Sequence, residues 1–78
     1  MDIILLEREI VSILRQHGYS SEATSLENSE YGATGGEIFG NIISNLIELK
    51  KKEIICDLIQ KESDMILNYA KEIGYLQR

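Results

Sequence analysis

Thr34-Gly35-Gly36-Glu37-Ile38-Phe39-Gly40-Asn41-Ile42-Ile43-Ser44-Asn45-Leu46-Ile47-Glu48 is the stretch that decides the fold class. Thr34 and Glu37 stand at S/T-x-x-E spacing, in which a hydroxyl accepts from the amide three residues on and the glutamate reaches back to the cap amide. Behind that start, Ile38, Phe39, Ile42, Ile43, Leu46 and Ile47 form a wide apolar stripe at helical spacing. Asn41, Ser44, Asn45 and Glu48 lie opposite. A half-buried strand would alternate with a period of two, and this run does not. It reads as a mostly buried helix.

Toward the C-terminus the apolar pattern resumes from Ile54 as Ile55, Leu58, Ile59, Met65, Ile66, Tyr69, Ala70 and Ile73, ending near Gly74. Lys50, Lys51 and Lys52 interrupt the stripe without glycine or proline, so a turn and a continuous helix are both compatible with the letters. A turn is expected, because an unbroken helix from Glu37 to Ile73 would span about 55 Å at 1.5 Å per residue. That is too long for one small domain to cover at both ends. Toward the N-terminus, Ile3, Leu6, Ile10, Ile13 and His17 share a stripe widened by Val11 and Leu14, while Glu7, Arg8, Ser12 and Arg15 fall elsewhere. A helix over about Asp2 to Gln16 should stop at Gly18. A short helix capped by Ser20 or Ser21 follows, with Ala23 and Leu26 inward beside Tyr19, and Asn28, Ser29 and Gly32 end it. No proline occurs anywhere in the 78 residues. The expectation is one all-α domain over 1–78, a bundle of about four helices.

Composition narrows the partner. A net charge of −5 argues against nucleic acid, whose phosphates call for lysine and arginine. No run is long enough for a membrane span. Asp2 precedes a short apolar run, Ile3 to Leu6, that ends at Glu7, which lacks the basic n-region of a secretory signal, so the cytoplasm is the expected compartment. Cys56, the single cysteine, reads as a small buried hydrophobe among isoleucines.

Enzyme chemistry finds little support. Gly35 and Gly40 match the G-x-x-x-x-G spacing of a phosphate loop, but Asn41 and Ile42 stand where lysine and a hydroxyl residue are needed. The pair Gly36 and Gly40 instead thins one helix face for close helix packing. His17, the only histidine, closes a helix and reads as a capping or packing residue. No nucleophile has a triad context, and no ligand cluster suggests a metal. The expectation is a protein without catalytic residues, cofactor or metal.

What remains is acidic. Between Arg15 and Lys50 there is no lysine or arginine, yet Glu22, Glu27, Glu30, Glu37 and Glu48 occur there, with Tyr19 and Tyr31. One-signed charge attracts a basic partner within a Debye length, and a tyrosine adds contact area. Glu22, Glu27, Glu30, Tyr31 and Glu37 are therefore the candidate partner-binding residues.

Gly18-Tyr19-Ser20-Ser21-Glu22-Ala23, then Leu26, then Tyr31-Gly32-Ala33-Thr34-Gly35-Gly36-Glu37-Ile38 resembles a pattern found in small helical immunity proteins of bacterial toxin–immunity systems. The resemblance covers roughly residues 13 to 47 and rests on a turn, a capping box and a glycine pair. It implies an inhibitor of a cognate toxin domain, a basic ribonuclease acting on tRNA of the kind delivered in contact-dependent growth inhibition. No toxin-contact residues carry over from it, and both active-site and exosite inhibition stay open. The alternative is a helical regulatory or structural module that self-associates through the apolar face of the third and fourth helices; a homo-oligomer is the less favoured reading.

Overall fold

A computed structural model describes residues 2–75. The chain is all-α: α1 (Ile3–Gln16), α2 (Ser20–Glu27), a 3₁₀ turn (Asn28–Tyr31), α3 (Gly35–Leu49) and α4 (Glu53–Glu72). α1 packs on both α2 and α4, and α3 closes the bundle against α2, the 3₁₀ turn and α4. The radius of gyration of 11.6 Å is close to the roughly 11.5 Å expected of a single folded unit of this length.

The ends of the helices follow from local chemistry. Asp2 caps α1 by accepting from the Leu5 amide at 3.0 Å, and Gly18 leaves it at a φ of 85°, the left-handed conformation that a side chain disfavours. His17 closes the same end, its Nδ1 3.0 Å from the Ile13 carbonyl oxygen. Thr34 caps α3, with Oγ1 accepting from the Glu37 amide at 3.1 Å. The reciprocal arm differs from the expected box, because the Glu37 carboxylate accepts from Ala33 at 3.3 Å, one residue before the cap. α2 begins without a serine cap: Tyr19 holds the N-cap position and no side chain closes it. The lysine run is a turn, with the Lys51 and Lys52 amides bonded back to the Glu48 and Leu49 carbonyls.

Ile10, Leu14, Ala23, Leu26, Ile42, Leu46, Ile59, Ile66 and Ala70 are fully buried at the centre of the core. Helical periodicity located most of these positions. On α1 the inward face is rotated from the expected stripe: it is Glu7, Ile10, Val11 and Leu14, with Ile3, Leu6 and Ile13 half-buried beside it and His17 exposed. α1 is sandwiched between α2 and α4, so its deepest line is set by two neighbours, and the deepest line includes a glutamate. On α4, Ile54, Met65 and Ile73 are exposed while Ser63 is buried, its hydroxyl donating to the Gln60 carbonyl at 3.3 Å. Cys56 is only half-buried.

The thin face of α3 receives a ring, where helix-to-helix contact was expected. Tyr75, just past α4, donates its hydroxyl to the Gly36 carbonyl at 3.3 Å and stacks edge-on against Phe39 at 4.9 Å. A Cβ at Gly40 would collide with that hydroxyl.

Candidate functional site

The candidate acids lie on α2, the 3₁₀ turn and the first turn of α3, and the structure connects most of them to cations from outside the acidic run. Arg8 on α1 grips Glu30 with two nitrogens, at 2.9 and 3.2 Å. Arg15, two turns further along the same face of α1, donates to Glu27 at 2.9 Å. Lys52, from the turn before α4, donates to Glu22 at 3.0 Å. These contacts hold the Glu30, Glu27 and Glu22 carboxyls below the usual carboxylate range, in each case chiefly through the hydrogen bond itself. The segment that reads as uniformly negative is thus largely neutralised in three dimensions. Glu37 is the exception, exposed and bonded to backbone alone.

Tyr31 ends the 3₁₀ turn with 83% of its surface exposed. The turn that carries it is firmly held. Ser29 is buried, and its Oγ accepts from Asn45 Nδ2 at 2.6 Å; its carbonyl accepts from Asn41 at 3.5 Å. Gly32 then lies so close to α3 that a Cβ there would stand 3.0 Å from both the Ile38 amide nitrogen and its side chain. Arg8–Glu30 ties the same turn to α1. The result is a large, exposed aromatic on a turn bonded to two helices.

Behind Arg8 lies Glu7, with no exposed surface and no donor for either carboxylate oxygen. The carboxyl of Glu30 lies beside it. Burial is the largest influence on it, and the adjacent Glu30 adds to the effect, so its pKa is raised to about 8. Two ionised carboxylates can only accept, whereas a protonated Glu7 has one O–H to donate to Glu30. Neither Glu7 nor Arg8 was a candidate from sequence, and the one available signal was a glutamate three residues before Ile10 on an apolar helix.

A separate apolar groove of about 480 Å³ opens between the start of α1, the start of α3 and the end of α4. Ile3, Ile4, Ile38, Phe39, Tyr69 and Ile73 line it, and Tyr75 borders it. Gly35 and Gly40 both belong to α3, so their spacing forms no strand-to-helix phosphate loop. Among the described residues no helix is long and apolar enough to cross a membrane. No protein-family model, curated protein or solved structure matches the chain.

Proposed function

We propose that the chain is a small acidic immunity protein that binds and neutralises a basic toxin domain, a tRNA-cleaving nuclease, with Tyr31 as its anchor and Glu37 beside it. The observation that carries this reading is Tyr31 itself, 83% exposed on a turn tied to α1 and α3. With its turn already held, binding has only the two side-chain torsions of the tyrosine to order, which suits an interface anchor. Internal ion pairs sum to zero, so the net charge of −5 resides on other groups, among them Glu9, Glu37, Glu53, Asp57 and Glu72, all exposed. Steering of a basic partner is then a property of the whole molecule, and Tyr31 supplies the contact. A nuclease holds RNA phosphates in a positive cleft, and a protein of this charge seated there excludes substrate.

Titration of the purified protein against the toxin domain encoded beside it tests the reading. Tyr31→Ala should leave the helical spectrum and melting point unchanged, because the ring is exposed, and should speed dissociation at least tenfold. Association should slow as salt rises. A Tyr31→Ala protein that binds and protects toxin-challenged cells as well as the original would remove Tyr31 from the interface.

The apolar groove favours a second reading, self-association through the start of α3 and the end of α4, since Ile73 and Tyr75 at its edge remain partly exposed. Sedimentation at low and high salt separates the two. A dimer that persists in high salt and is broken by Ile73→Lys would support this alternative.

A further inference from the structure

We infer that Glu7 and Glu30 share one proton and form a pH-sensitive latch that fastens the Asn28–Tyr31 turn to α1. The geometry has three parts. Glu7 is wholly enclosed, and neither of its oxygens meets a donor. Glu30, brought by the turn, lies beside it. Arg8 holds Glu30 through Nε and Nη2, one to each carboxylate oxygen. One proton on Glu7 turns an unsatisfied buried acid into a donor facing a carboxylate that Arg8 keeps ionised, and such a charge-assisted bond is stronger than a neutral one.

Among the described residues, Arg8 is the one cation that acts on Glu7. Arg8 from the same helix favours ionisation of Glu7, while Glu30 from the turn and Glu27 from α2 oppose it. The buried faces of α3, Ile42, Ile43, Leu46 and Leu49, and of α4, Ile55, Ile59, Ser63, Ile66 and Ala70, bring no ionisable group. When the shared proton leaves, two adjacent carboxylates remain with one arginine, and the Glu7 carboxylate has no access to water. The cheapest relief is to swing the turn outward, which hydrates Glu7 and releases Tyr31 from its fixed position.

The sign follows from the direction of the shift. Glu7 binds its proton more tightly in the closed state than in an open one, so the latch is fast at mildly acidic pH and is lost as pH rises toward and through about 8. It also has a lower limit, because protonation of Glu30, which lies below the usual carboxylate range, breaks its bond with Arg8.

Carboxyl-carbon NMR of the intact protein, combined with solvent exchange of backbone amides, tests the latch. Glu7 should titrate well above the ordinary glutamate range. Exchange protection at Ser29, Glu30 and Tyr31, corrected for intrinsic rate, should fall by up to tenfold per pH unit between the ordinary glutamate range and about 8, and level off above it. Protection at Ile42 and Leu46 in α3 should change far less. Glu7→Gln, which keeps a permanent donor toward Glu30, should make protection of the turn independent of pH, and Glu30→Gln should lower the Glu7 titration while leaving it above the ordinary glutamate range, because burial remains. A Glu7 that titrates like an exposed glutamate overturns the latch, and so does a turn whose protection follows pH no more than α3 does.

Discussion

Along α3, the burial of Ile42, Ile43, Leu46 and Leu49 reflects neighbours three and four positions away on one helix. Along Ser20–Tyr31, each acid answers to a cation 12, 22 or 30 positions away: Glu27 to Arg15, Glu30 to Arg8, Glu22 to Lys52. The two regions adjoin in the chain, yet they carry information of different range. A helical apolar stripe is a local fact, because the helix turns every 3.6 residues wherever it lies. A charge acquires its meaning only after the fold has chosen its company. An acidic run in sequence is therefore a statement about composition, and it becomes a statement about surface potential only once the pairing is known.

The sharpest way to break the comparison is to ask whether the α3 stripe behaves as its spacing says. Ile42 is fully buried, whereas Ile47, five residues on, keeps 42% of its surface. Ile42→Ala should cost about 2–5 kcal/mol through lost burial and the cavity left behind, a large share of the stability of so small a domain. Ile47→Ala should cost well under half as much. Urea unfolding of both variants measures the difference; equal losses would mean that the stripe extends beyond the observed core.

An intermediate effect tests the boundary between the two regions. Thr34→Ala removes the hydroxyl that accepts from Glu37 and should cost about 1 kcal/mol. The Glu37 carboxylate bonds Ala33 ahead of the cap, so Glu37→Gln should be milder, since an amide oxygen can still accept. A melting point unmoved by Thr34→Ala would show that Gly32 seated against Ile38 fixes the start of α3 without the cap.

Where sequence reading succeeded and where it failed divides along the same line. Gly18, Thr34 and the lysine turn are punctuation that acts on adjacent backbone, and each performs the role its type and position suggest. Most buried positions of α3 and α4 follow from period alone; Ile47, Ile54, Met65 and Ile73 were expected inward and are exposed, while Leu49 and Ser63 are buried outside the expected stripes. Glu7 failed because hydropathy assigns every glutamate to solvent, and only a partner such as Glu30 makes its burial tolerable. The Gly36–Gly40 notch was legible as a close approach, but the identity of the group entering it, a tyrosine 35 positions beyond Gly40, was not. Of the candidate site, Tyr31 and Glu37 remain open to a partner, while Glu22, Glu27 and Glu30 are engaged within the bundle.

The smallest expected effect concerns that engagement. Glu27 and Arg15 are each about half exposed where they meet, and pairs of this kind contribute little because water and salt screen them. Glu27→Gln should lower the melting point only slightly at low salt and less at high salt. The pair holds the Glu27 carboxyl low, so its contribution is present above the ordinary glutamate range and fades as pH falls through the depressed value. At pH 3 the variant and the original should therefore melt closer together than at pH 6. The same substitution sharpens the functional question, since it removes a charge from α2 while leaving Tyr31 and the turn untouched. If toxin binding weakens far more than stability does, Glu27 exchanges Arg15 for a cation of the partner, and the acidic run regains the role its composition suggests. If binding is unchanged while Tyr31→Ala weakens it, the pairs inside the bundle are structural and attraction comes from the unpaired acids elsewhere on the surface.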